Sequence, residues 1–277
     1  MVFGQQPLIV LSTGLRPPEI LPAALGFAQA IQSEVRMLLR VPQRTDDAML
    51  LKYAAVLRET LPSELHDLPI EPVRAKNVAA RLEQIAQTEG GLIALQPSRR
   101  NVLSAIIRND FERLLIEGSL PILSFPAQLQ LTSIQRVLFP ADFSPRSLKA
   151  LDIAIALCQK LGAELHLLHV FGPDQLLPSE VDQERRMAAQ SPRELFNIDQ
   201  ESLNALAERA IQAGISTSAI TSEGRAHTKI LDYAASNTID LIVLGTHGPR
   251  SSEDIVRGST SARVALHSKR PVLSIQC

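Results

Sequence analysis

The residues best placed to do chemistry are Gly245, Gly248, Gly258 and Ser259, spaced G-x2-G-x9-G-S. The apolar run Leu241-Ile242-Val243-Leu244 reads as a short buried strand that Gly245 ends, and residues 260–268 read as a helix that Gly258-Ser259 opens. A glycine admits positive φ or a close backbone approach, so amide N–H groups in such a segment can turn towards one anion. The Ser259 hydroxyl and the first N–H groups of the helix would complete the cradle, and the helix dipole favours negative charge there. The pattern therefore points to a phosphate site. A strand, a turn and a capped helix would explain any one of these glycines alone; it is the full spacing, set between strand and helix, that favours the anion.

A second candidate is Asp142, just beyond an apolar strand. A carboxylate at a strand end suits a ligand hydroxyl or amino group. The same residue would equally serve as a cap for the helix that starts near Ser144 or Pro145. Other chemistries find little support. There is no G-x4-G-K-[ST], which excludes a P-loop enzyme, and no carboxylate cluster suited to Mg²⁺ accompanies the glycines. His166 and His169 lie three apart on a strand pattern, hence on opposite faces, and make a poor metal site. No Ser-His-Asp or Cys-His arrangement can be assembled from spacing.

The elements that must position these residues recur. Residues 7–11, a helix over 19–32 and a strand over 35–41 match 136–140, a helix over 145–161 and a strand over 164–170. Residues 91–95 match 240–244, and 120–124 match 270–274. The second copy carries its extra residues in 171–200. That stretch is rich in Gln, Pro, Asp, Glu and Arg, so it is expected to be a mobile loop or short exposed helix rather than a packed element. Further helices are expected over 47–61, 75–87, 200–213 and 227–236. The chain is thus expected to hold two homologous domains, 1–128 and 134–277, each alternating strands with helices in a mainly parallel, doubly wound α/β sheet. The last strands, 121–125 and 271–275, are short and apolar. Pairing them with one another would cover both edges, which is the expected contact between the domains.

Composition agrees with a folded, soluble chain. At 45% hydrophobic residues real cores can form, and the net charge of −1 suggests neither nucleic acid nor an anionic membrane as partner. Cys158 and Cys277 make no disulfide framework, no leader pattern opens the chain and no apolar run is long enough to span a bilayer. A cytoplasmic location is expected.

With these motifs in view, residues 134–277 resemble the universal stress protein family in its nucleotide-binding branch. The resemblance rests on Gly245, Gly248, Gly258 and Ser259, on Phe139-Pro140-Ala141-Asp142-Phe143-Ser144, on the strand ending Leu168-His169-Val170, and on Arg270-Pro271-Val272-Leu273-Ser274-Ile275. The first half matches only in pattern. The resemblance implies two Rossmann-like domains of the adenine nucleotide alpha hydrolase type, each with five strands and helices on both faces. It implies that ATP, ADP or AMP, with or without Mg²⁺, binds the second domain. Asp142, with Pro140 and Ala141 beside it, would lie near the adenosine, and the backbone of Val170 would meet adenine. Gly245, Gly248, Gly258 and Ser259 would form the phosphate and ribose cradle, Thr260 and Ser261 adding donors. His247 and Arg250 would reach phosphate oxygens, Arg250 with fork geometry. Such proteins act in stress responses and commonly dimerise through the last strand.

The first half departs where the chemistry would be. Ser12-Thr13-Gly14 stands where Asp142 would align, and Gln96-Pro97-Ser98-Arg99 replaces Gly245-Thr246-His247-Gly248. Pro97 removes an N–H donor, and Asp110, near the Gly258-Ser259 position, would repel phosphate. No nucleotide is expected there. The leading expectation is a regulatory protein that binds a nucleotide without being an enzyme; a weak ATPase or nucleotide-dependent transferase, and a scaffold with a vestigial pocket, are the alternatives.

Overall fold

The computed structural model describes residues 3–97, 120–127, 129–172, 191–246 and 260–276. The chain divides into two compact units, Met1–Ser133 and Ile134–Cys277. The first contains β1 (Leu8–Ser12), α1 (Leu21–Ile31), β2 (Val35–Val41), α2 (Asp47–Glu59), β3 (Ile70–Arg74), α3 (Val78–Thr88), β4 (Leu92–Leu95) and β5 (Ile122–Ser124). Its strands lie in the order β3-β2-β1-β4-β5, every pair parallel.

The second contains β6 (Arg136–Pro140), α4 (Pro145–Leu161), β7 (Glu164–Phe171), α5 (Pro192–Gln212), β8 (Thr217–Glu223), α6 (Ala226–Ser236), β9 (Leu241–Thr246), α7 (Thr260–His267) and β10 (Val272–Gln276). Its order, β10-β9-β6-β7-β8, repeats that of the first unit, again with parallel pairs. Parallel neighbours need crossover helices, and a right-handed crossover puts α4 and α5 on one face and α6 and α7 on the other. The contacts follow that layering: α6 touches α7, and α5 lies on β7 and β8. Each unit is a doubly wound α/β sheet.

The inner strands read as continuous apolar runs because both faces are covered. Val137, Leu138 and Phe139 of β6 are all fully buried, as are Leu165 and Leu167 of β7. β3 and β8 were not legible as strands. They lie at the sheet ends, where one side stays half-exposed, so their sequences, Ile-Glu-Pro-Val-Arg and Thr-Ser-Ala-Ile-Thr-Ser-Glu, carry no apolar run. Pro72 sits in β3, as an end strand tolerates a residue without an N–H.

Helix boundaries have local causes. Ser144 caps α4 by accepting from Ser147 N at 3.1 Å, Pro145 occupies the first turn, and Gly162, at φ 64°, ends the helix in the left-handed conformation. Ser191 caps α5 by accepting from Glu194 N at 3.2 Å. That cap corrects the reading of 171–200 as a mobile loop or short exposed helix, followed by a helix from Gln200. The helix begins at Pro192, and it is packed, with Asp199, Leu203 and Ala210 at or below 1% exposure. Polar residues dominate its first turns, which hid the packed face; residues 173–190 lie outside the described residues. Among the described residues no helix is long and apolar enough to cross a membrane.

Candidate functional site

In the second unit the chain leaves β6 towards β7 and β8, then returns to lay β9 and β10 on the opposite side. The strand order therefore reverses between β6 and β9, and ligands of open α/β sheets bind outside the carboxyl ends of the strands at such a point. Pro140 ends β6 with Ala141 and Asp142 after it, Gly245 and Val170 are the penultimate residues of β9 and β7, and Thr260 and Ser261 open α7.

The turn after β6 is tightly specified. Ala141 N donates to Leu168 O at 2.9 Å, carrying the β6–β7 ladder one residue further. Ala141 and Phe143 are buried, at 5% and 2% exposure, while Asp142 between them is exposed. Phe143 adopts φ 59°, the left-handed region that a bulky L-residue rarely enters. Ser144 N donates to Asp142 Oδ1 at 3.0 Å, and Asp142 N donates to Ser147 Oγ at 3.4 Å. Ser144 is the helix cap, and Asp142, two residues before it, holds the turn that leads into the cap.

Gly245, expected in the anion cradle, also lies close against α4. A Cβ there would lie 3.2 Å from Ala150 Cβ and 3.4 Å from Ser147 Cα, both on α4. The missing side chain lets α4 approach β9, and Gly245 has no positive φ. Through Ser147 the same helical turn meets both Gly245 and the Asp142 backbone, so α4 ties the two sides of the switch point together. Thr246 Oγ1 donates to Ile275 O at 3.2 Å, pinning the end of β9 to β10. Thr260 is exposed and Ser261 is buried. His247, Gly248, Arg250, Gly258 and Ser259 lie outside the described residues.

Beside the turn His169 meets Asp199, a pairing that the sequence reading did not contain. His169 Nδ1 lies 2.8 Å from Ala141 O, and its ring centroid lies 4.5 Å from that of Phe143. His169 Nε2 lies 3.4 Å from Asp199 Oδ2 on α5, with both side chains buried. His166, on the other face of β7 as its spacing requires, meets Tyr233 OH of α6 at 2.9 Å. Nothing in spacing announces a pair thirty residues apart. Among the described residues no group of His, Cys, Asp and Glu could hold a metal. Burial pushes the Cys158 thiol up to about 12, so it is no thiolate nucleophile near neutral pH.

At the same place the first unit offers Ser12, buried, its Oγ donating to Gly14 O at 3.1 Å, with no carboxylate. Gln96 and Pro97 follow β4, whereas Arg99, Arg100, Arg108, Asn109 and Asp110 lie outside the described residues.

Comparison with known proteins agrees with this architecture. The chain is 19% identical to a universal stress protein from Archaeoglobus fulgidus, whose crystal structure superposes with a TM-score of 0.70 over 100% of this chain and 98% of that one. At that identity the likeness concerns the fold alone. The universal stress protein YxiE of Bacillus subtilis is 30% identical over 145 residues, which are 51% of this chain and 98% of that protein. The universal stress protein MJ0531 of Methanocaldococcus jannaschii is 29% identical over 144 residues, 51% of this chain and 82% of that one. The model of the universal stress protein family matches residues 133–276, the whole of the second unit but its last residue. With its doubly wound sheet and that match over half its length, the chain belongs to the universal stress protein family.

Proposed function

We propose that the second unit binds ATP or a related adenine nucleotide at the β6–β9 switch point, and that the first unit binds none. The observation that carries this reading is the turn after β6. It places an exposed carboxylate, Asp142, between two buried anchors at the position where open α/β sheets take their ligands. Arg146, in the first turn of α4, adds support. Its Nη1 atom is buried without a hydrogen-bond partner among the described residues, and a buried guanidinium N–H lacking an acceptor suits an anion. Gly248, Gly258 and Ser259 supply the phosphate cradle of the proposal, with His247, Arg250, Thr260 and Ser261 as further donors, and the backbone of Val170 faces the adenine.

In this reading the protein binds rather than transforms its ligand. Occupancy shifts a conformational or oligomeric equilibrium that other proteins of a stress response sense, by no more than the difference in nucleotide affinity between the states. Calorimetric titration of the full-length chain with ATP is expected to give one site per chain. Two sites would overturn the assignment of a non-binding first unit, and no heat at millimolar ATP would overturn the nucleotide reading altogether.

A further inference from the structure

We propose that His169 and Asp199 are positioning residues: a buried pair that sets the backbone of Ala141–Phe143 and so presents the Asp142 carboxylate to the ligand. The proposal rests on the reading that the second unit binds an adenine nucleotide.

The geometry starts at the histidine. Ala141 O can only accept, so His169 Nδ1, 2.8 Å away, carries a proton. The opposite nitrogen, Nε2, lies 3.4 Å from Asp199 Oδ2, the side chains being 3% and 1% exposed. A neutral ring protonated at Nδ1 would turn a lone pair towards a carboxylate, two acceptors face to face in a low-dielectric interior. A proton at this contact, giving an imidazolium beside a carboxylate or a neutral ring facing a carboxylic acid, relieves that repulsion. Either way Asp199 fixes the ring's orientation, much as an outer-shell carboxylate orients a ligating histidine.

A ring held in that way grips the turn at two points. Its Nδ1–H takes the Ala141 carbonyl, and its face lies against Phe143, with centroids 4.5 Å apart and the planes inclined by 31°. Between the two gripped residues is Asp142, the one exposed residue of the three. The left-handed φ of Phe143 persists only where the surroundings over-determine it, and the histidine supplies two of those constraints.

The first unit provides an internal control. Leu11, the counterpart of Pro140, pairs in register with Leu38, whereas Pro140 pairs with Leu168. The residue after each partner is Leu39 in the first unit and His169 in the second, and Leu39 is a buried apolar residue whose side chain has no hydrogen to donate to the turn. The unit that lacks Asp142 thus also lacks the histidine.

A double-mutant cycle on the full-length chain, read by calorimetric ATP titration, tests this. His169→Phe keeps a ring against Phe143 but removes both polar contacts, and it is expected to weaken ATP binding about tenfold or more. In an Asp142→Ala background the same change is expected to cost less than about twofold, because the carboxylate it positions is gone. Equal losses in the two backgrounds would show that the pair merely supports the fold, and would overturn the proposal. If His169→Phe does not fold, Asp199→Asn, which keeps shape and an acceptor, carries the same cycle with a smaller expected loss. The backbone coupling constant of Phe143, measured by NMR without nucleotide, separates this proposal from the nucleotide reading. Loss of the left-handed φ in the variant supports the positioning role even if wild-type protein binds no ATP, and an unchanged φ overturns it.

Discussion

Gly248→Val is expected to abolish ATP binding by the full-length chain while leaving its thermal unfolding unchanged. In the proposed cradle a side chain at position 248 would stand in the path of the phosphate. Losing two charge-assisted hydrogen bonds, worth about 1.5–3 kcal/mol each, lowers affinity at least a hundredfold, roughly. Gly245→Val is the matched comparison, because Gly245 lies close against α4. The Cβ of residue 245 would already lie 3.2 Å from Ala150 Cβ and 3.6 Å from the Arg146 carbonyl, so the valine methyls have no room beneath α4. Overpacking of that kind costs about 1–3 kcal/mol, seen as a lower Tm. Calorimetry and thermal melts on both variants settle the matter. A melt equally depressed in the two would mean that Gly248 also serves packing, and it would remove the phosphate argument.

Phe139→Ala is expected to cost about 3–5 kcal/mol of stability in the second unit, the range for deleting a buried ring from a core that relaxes only in part. Phe139 is fully buried in β6, a central strand, where it pairs in register with Leu167. The next three residues are Pro140, Ala141 and Asp142, so the side chain that fills the core also anchors the strand end bearing the site. Urea unfolding measures the effect, with Ile220→Ala as reference. Ile220 is 42% exposed on the end strand β8, and its truncation should stay within about 0.5 kcal/mol. A loss at Phe139 of less than about 1 kcal/mol would contradict the packing described for β6.

Much of this architecture was legible before any coordinates. Runs such as Leu241–Leu244 and Leu165–Leu168 read as short strands covered on both faces, and each of their residues is buried. Alternation of such runs with helical patterns then leaves few topologies beyond a doubly wound parallel sheet. What escaped was what half-burial conceals. β3 and β8 alternate too weakly to announce themselves, and the start of α5 is masked by Arg193, Glu194, Asn197 and Asp199, polar residues of which one is buried after all.

The amino-acid sequence by itself determined the family, the two-unit α/β plan and the carboxylate after β6, since each is written in local pattern or in a motif's spacing. Tertiary structure decided what each of those residues is for. Gly245 read as part of an anion cradle, and the structure adds that α4 packs closely against it. His169 read as one of two unconnected histidines, and it lies against Ala141, Phe143 and Asp199. The reason is physical: spacing along a chain states which residue types recur, whereas the neighbours of a side chain follow from how layers stack, and α5 meets β7 through the layering of helix on sheet.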